Sequence, residues 1–261
     1  MHFGGKAFNE DIKTGKRTNL IKDDKGKVTE KRYEDDFAVY AEVRQDLNPA
    51  MTVEGGIRMD YHSVTGTEWI PQGSVMFHLP SKQNLKLLVS KGFRNPTIKE
   101  MYMFTPSNGD LKPQSTLNFE LAYTYRPSDH AHFGANLFFI KGKDMIDLIY
   151  NKKLGHKVYI NTGEIENYGA EVNGTIHIGE HWSIDGNYSY LHTKTKITGA
   201  PESKLYAGAS FFYRVLSGSI GLQRIDGLYI SADEGNNEKE EYTLVNASLS
   251  LRCNDKAPRC S

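Results

Sequence analysis

Residues 177–181, His-Ile-Gly-Glu-His, have the order of a zinc-hydrolase motif: two histidines with a carboxylate between them. That chemistry needs both imidazoles one turn apart on a helix, with the glutamate as general base. No helical periodicity surrounds the segment, and Gly179–Glu180 reads as a tight turn between two strands, so no metal is expected. His62, His78, His130, His132 and His192 fall near strand ends and turns, where hydration suits them better than a ligand set. Arg94 and Glu100 could pair across a loop, and Pro96 between them suits a structural role at the start of that loop. The run 232–241, ADEGNNEKEE, reads as a solvated loop, and Cys253 and Cys260 lie in a polar tail where a pairing carries little meaning. No glycine-rich phosphate cradle and no Ser/His/Asp arrangement stands out. The chain is expected to be no enzyme and to hold neither cofactor nor metal.

The elements that carry these residues alternate with period two. In 53–62, Val53, Gly55, Ile57, Met59 and Tyr61 oppose Glu54, Gly56, Arg58, Asp60 and His62. Side chains of a strand point to opposite faces in turn. The same alternation recurs in 37–44, 115–126, 166–178, 203–214 and 242–252, and more weakly near 1–13, 69–79, 85–93, 131–141, 182–192 and 218–229. This is roughly a dozen strands of about 9–13 residues, longer than the five or six of ordinary soluble strands. Short turns at 48–50, 80–84, 127–130, 179–181 and 215–217 alternate with longer links at 63–68, 94–114, 142–164, 193–202 and 230–241. An up-and-down membrane barrel has that rhythm, with tight turns on one rim and long loops on the other.

Two architectures fit the alternation. In a soluble sandwich the apolar stripe is the core; in a membrane barrel it meets lipid and the charged stripe lines a wet lumen. Small residues on the apolar stripe (Gly55, Ala135, Ala170, Ala207, Ala209) would fill a two-sheet core poorly, whereas lipid chains adapt to them. Tyr61, Trp69, Tyr123, Tyr125, Trp182, Tyr188, Tyr190 and Tyr213 gather toward strand ends, as interfacial girdles do, although cross-strand packing also uses aromatics. Lys91 and Arg224 break the apolar parity. In this barrel reading Glu42, Arg44, Glu54, Arg58, Asp60, Gln72, Asn118, Glu120, Asn136, Asn167, Glu171, Asn173, Asp185 and Asn187 face the lumen.

The 261 residues carry 32 basic and 32 acidic side chains, a balance that argues against a nucleic-acid partner. No run of about 18 apolar residues offers a spanning helix, which says nothing of strands. The first residues, MHFGGKAFNEDIK, lack the serial basic, apolar and small-residue regions of a secretory signal.

The stretch from Ser90 to Tyr123 resembles the signature segment of TonB-dependent outer-membrane receptors. The resemblance is carried by Gly92, Phe93, Arg94, Pro96, Glu100, Tyr102, Asn108, Leu111, Lys112, Pro113, Asn118, Glu120 and Leu121. Gln114 stands where that family usually has glutamate, and Ala122 where it has glycine. Tyr159, Asn161, Gly169 and Glu171 resemble a later strand, and Asn187–Tyr190 its partner, so the likeness runs along nearly the whole chain. It implies an all-β, antiparallel up-and-down transmembrane barrel over residues 1–252, about 12 of the family's 22 strands, with 253–261 as a polar tail. No plug domain, TonB box or aromatic-ended closing strand is recognisable, so the chain is expected to be a fragment of the barrel. Its open sheet edges would then favour aggregation over insertion as a lone monomer.

The resemblance further implies a Gram-negative outer-membrane receptor for a scarce ligand: a ferric siderophore, haem, cobalamin or a glycan. Its partners would be membrane lipid, that ligand, and the TonB complex reached through the plug. The motif residues from Gly92 to Glu120 are expected to be mainly structural. A passive porin-like channel and a soluble carbohydrate-binding sandwich are the alternatives.

Overall fold

The computed structural model describes residues 2–8, 19–22, 28–32, 34–102, 108–151, 155–194, 199–233 and 236–252. Twelve strands form one sheet: β1 (His2–Phe8), β4 (Asp36–Asn48), β5 (Met51–His62), β6 (Gly66–Leu79), β7 (Gln83–Arg94), β8 (Gln114–Ser128), β9 (Ala131–Lys143), β12 (Ile165–Ile178), β13 (Trp182–Thr193), β14 (Ser203–Tyr213), β15 (Leu216–Asp233) and β16 (Asn236–Leu251), side by side in that order. Two hairpins stand apart from it, β2 (Asn19–Lys22) with β3 (Val28–Arg32), and β10 (Ile146–Asn151) with β11 (His156–Asn161). One short helix, α1 (Ile98–Tyr102), interrupts the strands. Each strand expected from the alternation is present, and consecutive strands are neighbours, as antiparallel hairpins demand.

The connections differ from expectation in four places. Residues 63–65 are a three-residue turn rather than a longer link, because Gly66 at φ 88° lets the chain reverse at once. In the acidic 230–241 stretch, residues 230–233 and 236–241 are strand rather than loop: β15 and β16 pair from Leu228–Glu240 up to Asp233–Asn236 after a bulge beyond Ile225. The 142–164 link folds into the β10–β11 hairpin, and the 94–114 link contains α1. Tyr188 stands at mid-strand, opposite Val172, rather than near an end.

The chain divides into two compact units, one of Met1–Phe77, Leu87–Glu120 and Phe139–Glu166, the other of His78–Lys86, Leu121–Phe138 and Asn167–Ser261. In the first, the register aligns Phe37 with Tyr61, Ala41 with Ile57, and Met59 with Trp69 on one face. Phe37, Val39, Val43, Ile57, Tyr61 and Trp69 are all exposed on it. The opposite face holds the buried side chains, and most are polar: Thr52, Asp60, His62 and Ser74 are each no more than 6% exposed. Thr52 donates to Asp46 at 2.6 Å, Arg44 and Ser74 both donate to Glu54 at 2.9 and 3.0 Å, and Arg58 Nε donates to Asp60 at 3.1 Å.

The second unit repeats the inversion. Tyr168, Val172, Ile176 and Ile178 of β12, Trp182, Ile184, Tyr188 and Tyr190 of β13, Leu205 of β14, Ile220 and Leu222 of β15 and Val245 and Leu249 of β16 are exposed. On the other face His177, Ser183, Ser210, Ser219 and Ser248 lie in one row across five strands. Water-soluble monomers rarely expose contiguous apolar patches beyond about 300–600 Å². A sheet with oily side chains outside and ionic ones packed together is built for hydrocarbon, which decides between the two architectures. On β12 the stripe spans ten residue-to-residue steps, from Tyr168 to Ile178. At about 3.3 Å per residue and a tilt near 40° it covers roughly 25 Å of bilayer.

The two parity exceptions are paired. Lys91 Nζ lies 2.7 Å from Glu68, and Arg224 bonds Asp226 and, at 2.9 Å, Glu241. The Arg224 cluster sits just past Leu222, where the stripe ends.

Gly169 shows why a motif position excludes side chains. A Cβ there would stand 2.1 Å from the Tyr190 carbonyl oxygen and 2.5 Å from the Phe138 ring, and backbone cannot yield cheaply. Gly169→Ala is expected to cost about 1–3 kcal/mol, seen as a lower temperature at which the folded band disappears on semi-native electrophoresis.

Candidate functional site

The signature residues assemble at the base of the 95–113 loop, within the first unit. β7 ends at Arg94, and Pro96, fully buried, keeps the preceding residue out of helical conformation. Thr97 then opens α1 with a reciprocal cap. Its hydroxyl accepts from Glu100 N at 3.2 Å, while Glu100 Oε2 accepts from Thr97 N at 2.7 Å. This Thr-x-x-Glu pattern is legible in the sequence and was the signal available for the helix. Glu100 also takes a bidentate grip from Arg94, at 2.8 and 2.9 Å, and Arg94 Nε donates to Gln114 Oε1 at 2.7 Å. Gln114 spends its amide on Ile146 O at 3.4 Å, a bond that a glutamate at this position could not donate.

Behind these ion pairs sits a small apolar cluster of Met101 and Leu111, with Tyr102, Ile146 and Tyr159 packed against it. Tyr102 leans on Gly109, whose Cβ position is 3.3 Å from the phenol oxygen. Asn161 holds the hairpin to the loop: its Oδ1 accepts from Lys112 N at 3.0 Å, and its Nδ2 donates to Lys112 O and Asp144 O at 3.0 and 2.7 Å. Asn108 Nδ2 donates to Tyr159 O at 3.0 Å. Gly92 leaves room for the Thr116 hydroxyl, 2.8 Å from where its Cβ would be. Phe93 and Pro113 are half-buried, and Asn118 donates to Glu120. Arg94, Pro96, Glu100, Tyr102, Leu111 and Lys112 are thus brought together with partners from β10 and β11. The β10–β11 tip exposes Ile149 and Tyr150.

Burial alone would raise the Glu100 pKa, but the hydrogen bonds from Arg94 and Thr97 outweigh it and hold the carboxyl below its ordinary range. A depressed carboxylate pKa stabilises fully above the unfolded value, and that contribution is lost as pH falls through the folded one. The grip on α1 is therefore expected to be complete above the ordinary glutamate pKa of 4.5 and to be lost as the pH falls below it. A nitroxide on Asp110→Cys, with Cys253 and Cys260 replaced by serine, should become more mobile across that acidic window and not between pH 6 and 8.

The remaining candidates lie on the sheet's polar parity. Glu54, Arg58, Asp60 and Gln72 sit in register with Arg44, Tyr40, Ala38 and Gly56 in the first unit. Asn173 pairs with Asn187 and Glu171 with Ser189 in the second, where Asn136 Oδ1 is buried. None of these joins the loop-base cluster. His177 ends in a strand and Gly179–Glu180 form the turn before β13, so the two histidines share no helix face. Among the described residues no group of three or more His, Cys, Asp or Glu could hold a metal. Cys253 and Cys260 lie outside the described residues.

Two arrangements escaped the sequence reading. His62 Nε2 lies 3.5 Å from Glu34 and 3.8 Å from Asp36, while its Nδ1 accepts from Val64 N and Thr65 N at 3.3 Å. Tyr229, 3% exposed, donates to Glu202 at 2.9 Å beneath Lys239, which also bonds Glu202 at 3.0 Å.

Comparison with known proteins agrees with this architecture. The family model described as TonB dependent receptor-like, beta-barrel matches residues 4–257. The iron-regulated outer membrane virulence protein of Vibrio cholerae is 27% identical over 164 residues, covering 54% of this chain and 25% of that protein. Hemoglobin-binding protein A of Haemophilus influenzae is 30% identical over 142 residues, 44% of this chain and 14% of that one. The crystal structure of the siderophore receptor PirA from Pseudomonas aeruginosa superposes with a TM-score of 0.72 at 19% identity, over 86% of this chain and 41% of that chain. The matches thus span a quarter or less of these two curated relatives.

Proposed function

Since the chain belongs to the TonB-dependent receptor-like β-barrel family of the Gram-negative outer membrane, we propose that it forms wall and surface loops of a receptor importing an iron chelate, a ferric siderophore or haem. The observation that carries the ligand class is the character of its relatives: one iron-regulated, one haemoglobin-binding, one a siderophore receptor. The exposed apolar stripe supports the membrane setting, and the braced loop base supports a fixed outer surface for a ligand.

In this reading the polar parity, with Glu54, Arg58, Asp60, Gln72, Asn136, Glu171, Asn173 and Asn187, lines the lumen and faces the plug domain that this family pairs with such barrels. The signature residues from Gly92 to Glu120 brace the 95–113 loop and the β10–β11 hairpin rather than touch cargo. Energy reaches the receptor from TonB through the plug, and no covalent chemistry is asked of this chain.

The test is growth of the source bacterium under iron limitation, with and without the gene, on single iron sources. Loss of growth on a ferric siderophore or haemin, restored by the gene, is the expected result. Unchanged growth on every iron source, with loss on cobalamin, a glycan or a copper supply instead, overturns the ligand class.

A further inference from the structure

On the polar parity at the turn end of the second unit, the turns after β6 and β8 and the last residues of β12 surround a cavity of about 400 Å³. Its walls carry Lys82, Arg126, His130, His132 and His177, with one acid, Asp129. Asp129 is occupied with Lys82 at 3.1 Å, and both are exposed. Arg126 and the three imidazoles are left facing the space, and His132 Nδ1 is buried without a hydrogen-bond partner. A buried ring nitrogen without a partner is costly unless something fills the gap. The turn that carries the lysine is tight: Ser81 and Lys82 both adopt left-handed angles, φ 64° and 58°, as a two-residue hairpin turn requires. Arg126 N donates to Lys82 O at 3.1 Å and His177 N to His130 O at 2.7 Å, so the separate turns are tied around the cavity.

We propose that this cavity binds a soluble oxyanion, a phosphate- or carboxylate-bearing group, held by Arg126, His132, His130 and His177, with Lys82 supplying long-range attraction. Guanidinium and imidazole N–H groups converge on such oxygens through charge-assisted hydrogen bonds. The residues lie on the face opposite the apolar stripe, so the ligand is dissolved in water rather than presented by a lipid. Short barrel turns lie on the periplasmic side, which puts the site at the inner mouth. An anionic cargo leaving the lumen would meet it there, a role that rests on the iron-chelate reading, whereas the oxyanion site itself does not.

The experiment is calorimetric titration of the full-length protein, purified from outer membranes into a zwitterionic detergent, with sodium pyrophosphate. Saturable binding is expected. Arg126→Gln and His132→Gln are each expected to weaken it about tenfold, and Asp129→Asn, which removes the competing carboxylate, to tighten it. Equal sheet content by circular dichroism shows that the variants are folded, and the Asp129→Asn arm reads the site without deleting a binding group. Heats that do not saturate, or affinities indifferent to all three substitutions, overturn the site. In nanodiscs, phosphatidylglycerol is expected to leave pyrophosphate affinity as it is in phosphatidylcholine. Competition by phosphatidylglycerol would make the ligand a lipid headgroup and overturn the soluble assignment.

Discussion

Val172→Arg is expected to lower the amount of receptor assembled in the outer membrane about tenfold or more, because a lipid-facing arginine near the bilayer midplane costs about 2–4 kcal/mol. Val172 is half-exposed in the middle of the β12 stripe and lies opposite Tyr188, which is exposed on the same face. Asn173→Arg, one residue on, turns the same charge to the polar parity opposite Asn187 and is expected to leave assembly within about twofold. The contrast between adjacent positions removes strand propensity as an explanation. Tolerance of Val172→Arg with loss on Asn173→Arg, scored by membrane fractionation and heat-modifiable mobility, would mean that the sheet's faces are the other way round.

Met101→Ala is expected to open the loop base without unfolding the sheet. Met101 has no exposed surface, and truncating a buried methionine costs about 2–5 kcal/mol. The apolar cluster it fills, with Leu111, Tyr102, Ile146 and Tyr159, lies at the loop base, so the loss is expected to stay local to that cluster. Amide exchange in 98–102 and 156–161 should accelerate at least about tenfold, with β12–β16 unchanged. Leu111→Ala should act on the same amides, and the double substitution should cost less than the sum because both empty one cavity. Uniform acceleration across the sheet would show that the cluster holds the whole fold rather than the loop.

The strand pattern was readable because every second residue reports its face, and a strand with one wet side and one oily side writes that difference plainly into ten residues such as 53–62. Which side was oily-out could be argued from small residues like Ala207 and Ala209, but burial of Asp60 and His62 against exposure of Ile57 and Trp69 is what decides it. The loop base was legible as a set of letters and not as a mechanism. Arg94 and Glu100 could be paired on paper, yet the Thr97 cap was overlooked, and nothing local announces that Asn161, about fifty residues on, fastens Lys112. The 230–241 stretch misled because Glu238, Glu240 and Glu241 look solvated and are; they stand exposed on strands rather than in a loop. Polarity reports water, and outside the bilayer a strand is as wet as a loop.

The charged cluster of Arg224, Asp226 and Glu241 closes the oily stripe abruptly. A belt about 25 Å tall fits the thin outer bilayer, but in an inner membrane near 30 Å it would leave several ångströms of hydrocarbon facing ions, at fractions of a kcal/mol per ångström of mismatch. The height of the belt is thus an address as well as an anchor: a mis-delivered copy meets a membrane too thick for it.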